Sequence, residues 1–197
     1  MENKQYLIAE ARREQIIKAA VEVLSEIGYV STSLSKIANK ANISTGLISY
    51  HFSGKEDLMN NTLMYLVQQE WVFIKEKVEQ KQTPTEKLMA FIEASLAYQG
   101  TNRINNIALI EIVFNARTPD NVPYYLIEDD DGDLLNDLLQ EILHKGQESK
   151  EFSDFHPQVI ATVIRGAISE SMLSSQHKLT PEEYNEKLTK SILKMVK

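Results

Sequence analysis

The side chains that could do chemistry are few. The chain holds four histidines and no cysteine, which excludes disulfides, thiol nucleophiles and Cys-ligated zinc. An acidic run, Glu128-Asp129-Asp130-Asp131-Gly132-Asp133, invites a calcium-loop reading. Placing Gly132 at the invariant glycine of such a loop puts Ile127 at its first ligand position and Leu138 where a bidentate Glu belongs, so two key ligands are missing. Glu141 and His144 have the Glu-x-x-His spacing of di-iron bundles, but no second copy of that motif exists. His51, His156 and His177 stand apart, and no G-x-S-x-G elbow, Walker A loop or dinucleotide glycine fingerprint is present. The sequence therefore predicts no enzyme, no metal and no cofactor.

A different chemistry emerges from 34–55, LSKIANKANISTGLISYHFSGK. Leu34, Ile37, Ala38 and Ala41 form the apolar stripe of a short helix, with Ser33 or Thr32 as its N-cap. Asn42 follows, the non-glycine residue that best tolerates the left-handed backbone of a sharp turn. Ile43 points inward, and Ser44 caps a second short helix, Thr45 to Phe52. Helices this short cannot stand alone; small Ala38 admits a close neighbour, and Ile48 and Phe52 fill the space between. This is the pattern of a helix-turn-helix DNA reader. The outward face of the second helix, Ser44, Thr45, Gly46, Leu47, Ser49, Tyr50 and His51, is mostly short or hydrogen-bonding and carries no carboxylate to repel phosphate. Lys55 follows the Gly54 turn, where an ammonium and a helix N-terminus could meet one phosphate.

Residues 12–58 resemble the DNA-binding domain of the TetR family of bacterial transcription regulators. The resemblance rests on Ile16-Ile17-x-Ala19-Ala20, the Gly28-Tyr29 exit, Ile37-Ala38, Ile43-Ser44-x-Gly46, and Tyr50-His51-Phe52 leading to Lys55-Glu56-x-Leu58. Asn42 departs from the family's usual Gly, a sterically reasonable exchange. Ile48-Ser49-Tyr50-His51-Phe52 is similar to a branch that includes choline-responsive regulators. The resemblance implies a homodimeric, ligand-responsive regulator, most often a repressor, on a palindromic operator. Thr45, Gly46, Leu47 and Ser49 would lie nearest the bases, Thr32, Lys36, Tyr50, His51 and Lys55 would hold phosphates, and Ser33 would sit at the same edge.

The elements that must position this head are helical throughout, since almost no alternating β-branched stretch occurs. A first helix, from about Ile8 to Ile27, ends at Gly28 and offers Ile16, Ala20, Val23, Leu24 and Ile27 to the helix-turn-helix; Arg12, Arg13 and Lys18 read as solvated, with a phosphate role open for the two arginines. A long helix from about Gly54 to Gln80, begun by a Ser53–Glu56 capping box, belongs to both head and body. Thr83-Pro84-Thr85-Glu86 starts a helix that ends at Gly100. The segment Asn102 to Ala116, apolar nearly all round, is expected to be buried on every side. A loop through Pro119 and Pro123 leads to one helix from Tyr124 to about Lys150, with a break near Gly132. Two last helices, about Pro157 to Gln176 and Pro181 to Val196, either complete the core of one chain or, as the resemblance implies, pair with their twins in a dimer. The expected fold is all-α: a three-helix helix-turn-helix domain over 1–54 and a helical bundle over 55–197 for ligand binding and dimerisation.

The net charge of −7 hides an asymmetry. Residues 1–55 carry a balance of +2 and the remainder −9, which turns the head toward phosphate and the body away. No run is long and apolar enough for a membrane helix, and the start lacks a signal peptide's apolar centre; a cytoplasmic protein is expected. Isolated polar residues among apolar helices suggest a small-molecule site. Glu111, Glu170, Arg165, Tyr98 and His177 are the candidate polar groups, with Trp71, Met64, Phe73, Phe114 and Met172 as candidate walls. If Glu111 faces an aromatic cavity, a cationic effector is favoured; otherwise the effector is apolar. The rival reading is a helical dimer whose head binds a protein.

Overall fold

A computed structural model describes residues 2–127, 133–173 and 179–197, without the side chains of 2–4, 172 and 173. The acidic run 128–132, Met172 and His177 lie outside the described side chains. Helices α1 (Glu2–Ser31), α2 (Leu34–Ala41), α3 (Thr45–His51), α4 (Lys55–Glu79), α5 (Pro84–Thr101), α6 (Arg103–Asn115), α7 (Leu134–Glu148), α8 (Pro157–Leu173) and α9 (Pro181–Val196) account for most of it. A single 3-10 turn, Tyr124–Leu126, adds to them. Among the described residues there is no strand, only an isolated bridge between Arg117 and Pro123. The fold is all-α, as the sequence predicts.

The chain divides into two compact units, Met1–Gln68 with Arg103–Glu128, and Gln69–Asn102 with Asp129–Lys197. A cut at 54/55 falls inside the first unit, which also takes in α6. The core of the first unit joins Ile16, Ala20 and Leu24 of α1 with Ile37, Ala38, Ile48 and Phe52 of the helix-turn-helix, Leu58 and Met59 of α4, and Ala108 and Ile112 of α6. Each large side chain of this set contributes about 1.5–3 kcal/mol by burial. That burial sustains an eight-residue and a seven-residue helix, neither of which would persist in water. The second unit packs α5 against α7, α8 and α9, around Ile74, Leu88, Phe91, Leu143, Ile164 and Ile192.

Several sequence expectations are corrected. Helix α1 begins at Glu2 rather than near Ile8, and its regular part ends at Gly28, with φ 74 and ψ 169, as expected, before one further turn to Ser31. Ile27, next to that break, is exposed. The start of α4 is held by Asp57, whose carboxylate accepts the Ser53 N–H at 2.8 Å, because Asp57 is also anchored by Asn61. Helix α5 runs through Gly100 to Thr101 and is capped at Asn102. Helix α6 is apolar on all sides but buried on one: Ala108 and Ile112 are enclosed while Ile104 and Phe114 are 52% and 64% exposed. Within 124–150 the described residues form a 3-10 turn, Tyr124–Leu126, and α7, whose start is capped by Asp133. Both Thr-Pro-x-Glu segments do form capping boxes, at Thr83–Glu86 and Thr180–Glu183.

At Gly146 of α7 another side chain packs close against the helix backbone. A Cβ there would lie 1.9 Å from the ring of buried Phe152, so the ring must move. Gly146→Ala is expected to destabilise by about 1–3 kcal/mol, read as a lower urea midpoint; an unchanged midpoint would show that the Phe152 site is slack.

Candidate nucleic-acid interface

The two short helices are set by three local devices. Ser33 caps α2 by accepting the Lys36 N–H. Asn42 adopts φ 54, ψ 48, and two bonds close the end of α2: Ile43 N–H to the Ala38 carbonyl at 3.0 Å and Asn42 N–H to that of Asn39 at 3.2 Å. This is the Schellman arrangement, with Ile43 packed on the core as its apolar partner. Ser44 then caps α3, accepting the Leu47 N–H at 3.2 Å. The turn angle between the helices therefore follows from Ser33, Asn42 and Ser44, all legible in the sequence.

The outward face of α3 presents Thr45, Gly46, Ser49 and Tyr50 to solvent, with Leu47 and His51 half-buried. Tyr50 is 81% exposed and meets His51 edge to face at 5.0 Å. Ser49 is held by the Thr45 carbonyl. Lys36, at the start of α2, is exposed and donates to the Ser31 carbonyl at 2.8 Å. Exposed polar side chains beside an exposed cation suit a groove wall better than a protein-facing apolar patch.

Two expected phosphate ligands are placed differently. Thr32 is buried, with its hydroxyl donating to the Gly28 carbonyl at 2.6 Å. Lys55 donates to the Tyr29 carbonyl at 2.8 Å and lies 4.4 Å from the centre of the Tyr29 ring; burial lowers its pKa from the ordinary 10.5. Both residues support the break at Gly28. Glu111 of α6 completes that support, because its carboxylate accepts the Tyr29 N–H at 2.8 Å. A Cβ at Gly28 would stand 3.1 Å from the same carboxylate, so the glycine supplies both the backbone angle and the space. Glu111 is thus a clamp on α1, a partner the sequence could not name because it lies 82 residues away.

The other proposed effector residues are spread over both units. Phe114 belongs to the first and packs on Tyr125 at 5.7 Å. Trp71, Tyr98 and Glu170 belong to the second. Trp71 lies under the Lys75 ammonium, Tyr98 is buried against Phe73, and Glu170 is exposed. A surface groove of about 620 Å³ between α5 and α9, with Met89, Glu93, Thr189 and Leu193 among its walls, includes none of them. The charged group that sequence reading missed is Glu70 of α4. Burial pushes its carboxyl above the ordinary 4.5, Arg165 opposes the shift and Asp133 adds to it, while Arg165 and Asp133 pair with each other.

Residues 16–62 match the family model described as bacterial regulatory proteins, tetR family. The HTH-type transcriptional regulator BetI of Burkholderia cenocepacia is 32% identical over 87 residues, 44% of this chain. The match spans about half of that relative's own length, 45%. Among solved structures, a regulatory protein in the tetR family from Rhodococcus RHA1 shares the fold with a TM-score of 0.77 at 19% identity, over 93% of this chain and 96% of that one. The transcriptional regulator FadR from Bacillus subtilis in complex with stearoyl-CoA gives a TM-score of 0.72 at 25% identity, over 92% and 96%.

Two outcomes follow from these placements. Glu111→Ala leaves the part-buried Tyr29 N–H without its acceptor and should cost about 1–3 kcal/mol in urea denaturation; Glu111→Gln, which keeps an acceptor oxygen, should cost less. Because the folded state raises the Glu70 pKa, it binds a proton that the unfolded chain has released. Its contribution is full below pH 4.5 and is lost as pH rises through the folded value. Glu70→Gln should therefore flatten the pH dependence of stability above 4.5 and raise stability near neutrality; equal slopes in both proteins would refute the assignment.

Proposed function

We infer that this chain, which belongs to the TetR family of bacterial regulatory proteins, is a ligand-responsive transcriptional regulator acting as a homodimeric repressor on palindromic operator DNA. The observation that carries the reading is the capped helix-turn-helix with an exposed α3 face free of carboxylates. In it, Thr45, Gly46, Leu47 and Ser49 approach base edges in the major groove. Lys36, Tyr50, His51 and the Ser33 and Ser44 caps meet the backbone. Thr32 and Lys55 act on phosphate only through the position they give to α1 and α4, or after Lys55 leaves Tyr29. The functional division at 54/55 assigns DNA to the head, and effector and partner copy to the rest.

A second copy fits the face of α8 on which Val159 and Val163 are exposed and Gly166 has open space around it. A two-fold dimer predicts a palindromic operator whose half-sites are spaced by multiples of about one helical turn. The effector belongs to the second unit, near Trp71, Tyr98 and Glu170, and Glu111 is assigned to the head instead. A relative's complex with stearoyl-CoA favours an apolar or amphipathic effector over a cationic one. Effector binding lowers operator affinity by the ratio of its affinities for the two dimer states and no more. The reading gives the chain no catalytic step and places it with DNA in the cytoplasm.

Selection from a random pool of duplex DNA by the wild-type protein tests the reading. An enriched palindrome is expected, bound with an affinity that falls steeply with salt. Substitutions at Thr45 or Ser49 should change which palindrome is enriched, and Lys36→Ala should weaken all duplexes alike. If ligand-stripped protein enriches nothing, the head binds a protein instead.

A further inference from the structure

Arg13 lies on α1, three residues before the family-model match begins, and resembles a surface cation in the sequence. In the structure its part-buried guanidinium is directed toward α3 and α4. One nitrogen donates to the His51 carbonyl at 2.6 Å, a second donates to the Asn61 side-chain oxygen at 2.7 Å, and Cζ stands 4.4 Å over the Phe52 ring. His51 is the last residue of α3, so the accepting carbonyl is one that a helix end leaves unpaired. Asn61 in turn donates to the carbonyl and carboxylate of Asp57, both at 2.8 Å, and Asp57 accepts the Ser53 N–H at 2.8 Å. A continuous chain of polar contacts therefore links α1, the end of α3, the turn 52–54 and the first turns of α4.

We propose that Arg13 is the positioning residue of the reading helix, fixing the far end of α3 so that its base-facing side chains meet the groove in register, and that it is not a phosphate ligand. The proposal rests on the DNA-binding reading above. Helix α3 has two ends. Ser44 orders the first by accepting the Leu47 N–H. At the second, where the chain leaves for α4, Phe52 N–H meets the Ile48 carbonyl and Ser53 N–H meets Asp57, and the His51 carbonyl is met by Arg13. The planar fork of an arginine satisfies a carbonyl and an amide oxygen at once while its face rests on Phe52, a geometry that lysine cannot reproduce. Gln15, two residues further along α1, does the same for α2 by donating to the Ala41 carbonyl at 2.9 Å. Both reading-head helices thus end on side chains of α1.

The test uses full-length wild type, Arg13→Gln, Arg13→Lys and Asn61→Ala, with the palindrome enriched by wild type and a scrambled duplex as probes. For Arg13→Gln, affinity for the palindrome should fall by about tenfold or more, the loss expected of a charge-assisted bond. Affinity for the scrambled duplex and the slope of log affinity against log salt should stay unchanged. Arg13→Lys should recover part of the loss, and Asn61→Ala should show a smaller loss of the same kind. In protein without DNA, amide exchange over 48–52 should quicken in Arg13→Gln while the melting transition stays cooperative. A phosphate role would instead weaken both duplexes equally and reduce the salt slope by about 0.9, and that result overturns the proposal. So does unaltered exchange over 48–52. Should wild type enrich no palindrome, the DNA reading fails while the exchange experiment still decides whether Arg13 holds α3; should Arg13→Gln not fold, Arg13→Lys and Asn61→Ala carry the same comparison.

Discussion

The backbone of Tyr29 is gripped from both sides, and the first unit is built on that grip. Gly28 turns the chain out of the helix, which strips nearby peptide groups of helical partners. Glu111 from α6 takes the Tyr29 N–H and Lys55 from α4 takes its carbonyl, while Thr32 returns to the Gly28 carbonyl. An unpaired peptide group at a part-buried position costs about 1–3 kcal/mol, comparable with the burial of one large side chain. The reading head is consequently not self-contained. It needs a carboxylate from a helix far along the chain, and the same helix supplies Ala108 and Ile112 to its core. A displacement of α6 must carry Tyr29 with it or break the clamp, because rigid packing offers no graded alternative.

The features visible in the sequence are those whose physics is local. The Ser33 and Ser44 caps, the left-handed Asn42 and the two Thr-Pro-x-Glu boxes each involve partners within five residues, so spacing identifies them. Contacts between distant segments leave no such trace. Glu111 stood out only as a carboxylate in an apolar helix, which a ligand, a cation or a peptide N–H could equally explain. Helix α6 shows the complementary failure. Its apolar residues surround the axis, yet Ile104 and Phe114 face outward, since composition reports hydrophobicity without saying which side has a neighbour. At Ser53 the sequence pointed to Glu56 as the box-closing acid, whereas the structure uses Asp57, which Asn61 also anchors. Glu70 escaped notice because it stands among other polar residues in α4.

The cations of the head sort by what holds them. Lys18 pairs with Glu14, and Lys40 with Glu22 and Glu26, through exposed side chains. Pairs of that kind are worth about 0–1 kcal/mol, so either lysine can exchange its carboxylate for a phosphate at little cost. Lys36 donates to a carbonyl from an exposed position and is equally free to turn. Arg13 and Lys55 differ, for each joins a backbone carbonyl with an aromatic face in a part-buried site. Moving Arg13 onto DNA would take the guanidinium from the His51 carbonyl at the end of α3, while on moving Lys55 the Tyr29 carbonyl would keep only the Thr32 N–H. A head whose balance is only +2 over 1–55, with two of its seven cations committed to internal carbonyls, cannot rely on bulk charge. On the function proposed above, affinity for DNA comes from hydrogen-bonding side chains on α3 and from the doubling of contacts that a symmetric dimer would provide.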